Sequence, residues 1–199
     1  NIFCDIADTT VLETYGINGS LTMDDTHQKS LLNSYWDIWC VEGIVNADSI
    51  GGLYANDDYA QGRFKIGDLT FYGNTNASDR YVGYNTECYY KEINGKKEVV
   101  YLKRKDNDVL KISLDDFCKT SGNDFYYYAE NGRKKMLQFN YETAFLYNGR
   151  AIDYAKDYGD KLFEGDTGEI ILIENSGDKY YDTVYINVYN DMPVNAVDT

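Results

Sequence analysis

Histidine and proline are almost absent from this chain: its 199 residues hold one of each. With His27 alone, a serine or cysteine nucleophile has no evident general base, and no G-x-S-x-G is present to expose one on a tight turn. Zinc is excluded on similar grounds, because the four cysteines are widely spread, no C-x-x-C occurs and one histidine cannot complete a set. Neither G-x-x-x-x-G-K-[ST] nor G-x-G-x-x-G occurs, so there is no phosphate cradle. No apolar run is long enough to span a bilayer, and no signal-peptide pattern is seen. The chain opens at Asn1 without methionine, which suggests a processed chain or a segment of something larger. Basic residues are scarce too: 19 Lys and Arg against 33 Asp and Glu give a net charge of −14. A field of that sign repels phosphate backbones and anionic lipid, so neither nucleic acid nor membrane insertion is expected. The acidity reads first as solubility and second as a calcium-rich extracellular surface.

Tyrosine is what the chain has in excess, with 21 Tyr beside 8 Phe and 17 Gly. Tyrosine suits a half-buried pleated surface, where the ring packs and the hydroxyl reaches water or a partner. The clearest such stretch is 81–114. Tyr84–Ile93 and Glu98–Lys103 alternate and are joined by Asn94-Gly95, the pair that supplies two positive-φ positions to a type I′ turn. Asp106-Asn107-Asp108 then breaks the zigzag before Val109–Leu114, and the three runs read as an antiparallel meander.

The expected fold is therefore mainly β. Residues 1–34 form a short helical segment, with Asp8 or Thr9 capping one turn and Thr22 and Asp24 opening a second that carries His27. Residues 35–118 form a small antiparallel barrel of OB-like or SH3-like kind, with strands in the 36–50 stretch and over 62–72 and 84–114, and a bend at Gly43. Residues 119–192 form a second β-rich subdomain. It holds hairpins at Asn131-Gly132 and Asn148-Gly149 and closes with Glu169–Ile173 and Thr183–Tyr189; a tail covers 193–199. Cys4, Cys40, Cys88 and Cys118 make two disulfides if the chain is secreted, whereas Cys88, in an alternating strand beside tyrosines, reads equally as a buried thiol.

Three groups of residues are candidates for a site. Glu174, Asp178 and Asp182 place oxygens at alternating positions as a calcium loop does, but Lys179 stands where such a loop needs glycine, so a plain hairpin loop is the preferred reading and calcium the weaker one. Adjacent acids such as Asp115-Asp116 read as solvated, not as a glycosidase pair. Trp39 and the run Tyr126, Tyr127, Tyr128 put aromatic rings outward from strands, which suits protein–protein contact ahead of sugar stacking.

Taken in order, VEGIVNADSIGGLY, RFKIGDLTFY, DRYVGYNTECYYKEI, VVYLKRKDNDVLKI, TAFLYNGRAI and GEIILIENSGDKYYDTVYINVY resemble a β-rich module of surface-layer-homology-type proteins of Gram-positive bacteria, with related segments in large structural proteins of their phages. The family's closing loop carries D-x-[DN]-x-D-G where this chain has ENSGDK. The resemblance implies a non-catalytic building block without cofactor, held in a virion (tail or baseplate) or on a cell surface by contacts with other protein subunits. Carbohydrate binding to cell-wall or host glycans is the alternative.

Overall fold

Strand dominates, and no helix among the described residues reaches seven residues, in line with a mainly β chain. The computed structural model describes residues 31–54, 62–73, 81–105, 107–139, 141–153, 159–177 and 180–190. The helical turns expected before residue 31, His27, Cys4 and the tail 193–199 lie outside the described residues. Contacts divide the chain into two compact units. The first takes 31–49 and 62–105, and the second 50–54 and 107–190, so the division falls at Lys105 and not at the expected 118.

The first unit holds α1 (Leu31–Trp36), β1 (Trp39–Ala47), β2 (Arg63–Ile66), β3 (Leu69–Tyr72), β4 (Asn85–Ile93) and β5 (Lys96–Arg104). Helix runs on to Trp36, where the alternation had suggested strand. Asp37 then turns the chain at φ 53°, with its N–H donating to the Asn33 carbonyl and that of Ile38 to the Leu32 carbonyl. The strands pair in the closed order β1-β2-β3-β5-β4, back to β1. Every pairing is antiparallel except β3 with β5, so the ring is mixed where an antiparallel one was expected. The Asn94-Gly95 turn has φ of 53° and 74°, as type I′ demands.

Gly43 lets β1 serve two neighbours. Residues 39–44 pair with β4, Val45 and Ala47 pair with β2, and the register shifts between those two. A Cβ at Gly43 would lie 2.7 Å from Ile66 Cγ2, so only glycine permits this close approach. The Thr86 hydroxyl, fully buried, donates to the Gly43 carbonyl at 3.1 Å. Val45, Phe64, Phe71 and Cys88 fill the interior, with the two phenylalanine rings stacked 5.3 Å apart. On the other face of β1 and β4, Leu32 and Ile38 pack against Cys40, Tyr89 and Tyr101.

The second unit contains β6 (Asp108–Ser113), β7 (Phe117–Ser121), β8 (Asp124–Tyr128), β9 (Lys134–Gln138), β10 (Ala144–Tyr147), β11 (Arg150–Ile152), β12 (Thr167–Glu174) and β13 (Thr183–Tyr189). Short 3-10 turns occupy Leu114–Asp116 and Gly159–Phe163. A five-stranded sheet runs β11-β10-β13-β12-β6, and a three-stranded one runs β7-β8-β9. The sheets share one core, in which Phe125 and Tyr127 of β8 meet Ile112, Phe145, Ile170, Leu172, Val184 and Ile186. Phe117, Phe125, Phe139 and Phe163 add a ring cluster, the closest pair being Phe117 and Phe163 at 4.2 Å.

The three-stranded meander over 81–114 is corrected here. Its third run, β6, leaves the ring and pairs with β12, aligning Leu110 with Leu172 and Ile112 with Ile170. The break at Asp106-Asn107-Asp108 marks where a strand ends, but which strand pairs next is decided by matching apolar faces across the core. Asn148-Gly149 makes the expected two-residue turn, at φ of 46° and 83°. At Asn131-Gly132 only Gly132 has positive φ, at 70°. Its N–H donates to the Ala129 carbonyl and Ala129 N–H to that of Arg133, giving a three-residue loop that ends in a left-handed glycine.

Candidate functional site

Among the expected site residues, Tyr127 and Tyr128 come together in a cleft. It is an open space of about 320 Å³ in the second unit. One wall is β6, which presents Leu110, Lys111 and Ile112. The other is the end of β8 with its following loop, Ala129 to Asn131, and Lys135 from β9. Asp116 of the 3-10 turn also lines it. Neighbouring strand residues normally face opposite ways, so Tyr127 is buried at 5% exposure while Tyr128 keeps 44%. Both nevertheless line the space, because β8 ends there and its chain curls into the loop. Burial raises the Tyr127 hydroxyl above the ordinary tyrosine range.

The lining of this cleft is mixed, with apolar side chains, two tyrosines, two lysines and two acids. Its wall β6 is the last strand of its sheet, so among the described residues no strand pairs along its outer edge. Such an edge is a ready template for another extended chain.

Tyr126 lies elsewhere. Lys119 and Lys134 sit over its ring, at 5.3 and 5.0 Å from the centroid, and it does not line the cleft. Trp39 belongs to the other unit, 39% exposed at the start of β1. Just before it come the exposed Tyr35 and Trp36, with rings 6.0 Å apart. The four interface candidates thus fall at three places, not one. Leu110 and Lys111 of β6, Asp116 and Lys135 were not among the candidates: β6 read only as a short zigzag set off by acids, and Asp116 as a solvated acid.

The calcium candidates behave as turn caps. The Glu174 carboxylate accepts the Gly177 N–H, and Asp182 Oδ2 accepts the Asn175 N–H at 2.6 Å. Asp178 lies outside the described residues. Among those that are described, no group of three or more potential ligands gathers.

The thiols of Cys40, Cys88 and Cys118 are free. Cys40 opposes Tyr89 while Cys88 opposes Val41, so the two cysteines of this strand pair lie on opposite faces. Burial, with the Glu87 charge adding to it, pushes Cys40 up to about 12. Burial pushes Cys88 well above the usual thiol range as well. Neither offers a thiolate near neutrality.

No family model matches this chain, and no curated protein or solved structure does either.

Proposed function

We propose that the chain is a non-catalytic structural module of a larger virion (tail or baseplate) or cell-surface protein, and that it works by docking other protein subunits. The observation that carries this reading is the cleft beside the open edge of β6. An extended segment of a partner would add its backbone to β6 and set alternate side chains against Tyr127 and Tyr128. The sequence resemblance to surface-layer-type modules and phage structural proteins supports the same reading.

The ring of the first unit we read as a small barrel of OB type. Support comes from its closed order β1-β2-β3-β5-β4 and from the single parallel pair between third and fifth strands. The outward Tyr35, Trp36 and Trp39 favour a second reading, a carbohydrate-binding module, since exposed aromatic rings suit sugar faces as well as protein.

A random-peptide display selection against the immobilised chain, run beside a glycan array, separates the two. Docking predicts enriched extended peptides whose binding is lost in Tyr128→Ala and kept in Trp39→Ala. A glycan signal lost in Trp39→Ala, with no peptide enriched, establishes the carbohydrate reading instead. Turnover of a polysaccharide, lost in an Asp→Asn scan, would overturn both.

A further inference from the structure

Asparagine is followed by glycine at Asn18, Asn94, Asn131 and Asn148. Asparagine is among the chemically labile residues, and a following glycine has no side chain to shield its nitrogen. Asn18 lies outside the described residues. The fold treats the other three differently.

Asn94 and Asn148 make a close comparison, because both open two-residue turns of the same backbone form. Asn94 and Gly95 have φ of 53° and 74°, and Asn148 and Gly149 have 46° and 83°. Any hindrance that this turn presents to attack on the side chain is therefore shared. What holds each amide is not. The Asn148 amide is clamped on β13: its Nδ2 donates to the Val188 carbonyl at 3.1 Å, and its Oδ1 accepts the Val188 N–H at 2.9 Å. The Asn148 N–H donates to the Ile186 carbonyl, and Gly149 is buried. Asn94 and Gly95, by contrast, are exposed at the tip of β4 and β5. Among the described residues no hydrogen bond holds the Asn94 amide or the Gly95 N–H. Asn131 is restrained in another way. Its Oδ1 accepts the Arg133 N–H at 3.0 Å. The Gly132 nitrogen, which would have to attack, donates its proton to the Ala129 carbonyl at 2.7 Å.

We propose that Asn94-Gly95 is a self-modification site, at which the folded chain converts asparagine to aspartate and isoaspartate with water as co-reactant, while the fold holds Asn131 and Asn148 back. When the turn opens, the Gly95 nitrogen attacks Asn94 Cγ. A bond forms between them, the Cγ–Nδ2 bond breaks, and ammonia leaves with the proton given up by the Gly95 N–H. Water then opens the succinimide. Addition at Cγ leaves aspartate at position 94. Addition at the backbone carbonyl leaves an isoaspartyl link, in which the main chain runs through the former side chain. The isoaspartyl product bears on the ring, because it lengthens a turn that sits beside a seam. Ile93 pairs with Lys96 across the turn, and the next residues of β5 make the parallel pairing with β3, Lys97 with Phe71 and Glu98 with Tyr72.

The full chain, aged in mildly alkaline buffer and mapped by tandem mass spectrometry, tests this site by site. Both products differ from asparagine in mass and from each other in retention. The same chain aged in urea gives the rates without a fold. The three sites should convert at similar rates in urea. In the folded chain Asn94 should convert about tenfold or more faster than Asn148, as two amide hydrogen bonds that must first break would require. Asn131 should also lag behind Asn94. Asn94→Gly keeps a residue suited to positive φ and removes the amide. Ageing should lower the urea midpoint read by Trp36 and Trp39 fluorescence in the parent and leave that of Asn94→Gly unchanged. Asn148 or Asn131 converting as fast as Asn94 in the folded chain, or the same ranking of sites with and without urea, would overturn the proposal. An equal fall of the midpoint in parent and Asn94→Gly would overturn the link to the seam.

Discussion

The two units deal with sheet edges in opposite ways. In the first, five strands close on themselves, so no strand is last. In the second, two open sheets share a core and leave β11, β6, β7 and β9 at edges. A closed ring leaves only side chains on its outer face for a partner to meet. An open sheet can also offer backbone, as β6 does beside the cleft. The interiors differ to match: the ring encloses a few side chains around Phe64 and Phe71, while the second unit joins its layers with a phenylalanine cluster.

Removing the centre of that cluster gives the largest expected effect. Phe125 is fully buried, with ring contacts to Phe117, Phe139 and Phe163 at 5.4 to 5.8 Å. Phe125→Ala should cost about 3–5 kcal/mol. The chain's two tryptophans, Trp36 and Trp39, both lie in the first unit, so indole fluorescence reports the ring alone. In urea, the far-ultraviolet transition should move to lower concentration while the fluorescence transition stays. If both move together, the units unfold as one block and the contrast drawn here is wrong.

Gly43→Val reverses the experiment. Its first added carbon meets Ile66 Cγ2 at 2.7 Å, and overpacking of this kind costs about 1–3 kcal/mol. Here the fluorescence transition should shift. Ile66→Leu in the same chain, which removes the branch at Cβ, should restore part of the loss.

Alkaline pH should also act first on the ring. Cys40, Cys88 and Tyr89 all have folded-state pKa values raised by burial. A raised value means that each contribution to stability is complete below the ordinary pKa and is lost as pH rises through the folded one. For Cys40 that window runs from 9.0 to about 12. Fluorescence-monitored urea midpoints should therefore fall as pH climbs past 9.0. Alkylation by iodoacetamide followed by mass spectrometry should leave Cys40 and Cys88 unmodified near neutrality.

Local chemistry was legible in the sequence. Asn94-Gly95 and Asn148-Gly149 announced two-residue turns because few dipeptides tolerate two positive φ values. Glycine at position 43 read as a bend, but it pairs in register with Thr86, and the irregularity of β1 falls between Val45 and Ala47. Pairing at a distance was not legible. Val109–Leu114 fits a meander and a distant edge equally well by alternation, and only the match of Leu110 and Ile112 to β12 selects the edge. The cleft was hidden for the same reason, since it assembles β6, a 3-10 turn and a hairpin loop that no local pattern joins. Net charge misled by averaging, because a −14 chain contains a +4 stretch over residues 62–105, nine Lys and Arg against five Asp and Glu.

The smallest effect on stability should come from Tyr128→Ala, and it sharpens the contrast between fold and surface most. Tyr127 and Tyr128 are adjacent and line the same cleft, but Tyr127 is part of the shared core while Tyr128 is 44% exposed. Truncating Tyr127 removes a buried ring and should cost about 3 kcal/mol or more, close to Phe125→Ala in kind. Truncating Tyr128 should change stability by less than about 0.5 kcal/mol. If the cleft docks a partner, the ranking inverts for binding: exposed tyrosines near the centre of an interface carry energy far out of proportion to their effect on the fold. Tyr128→Ala should then abolish binding of the selected peptides while its urea midpoints stay unchanged. A Tyr128→Ala chain that binds as the parent does would leave β6 as a bare edge, and the cleft as a space between two layers with no guest.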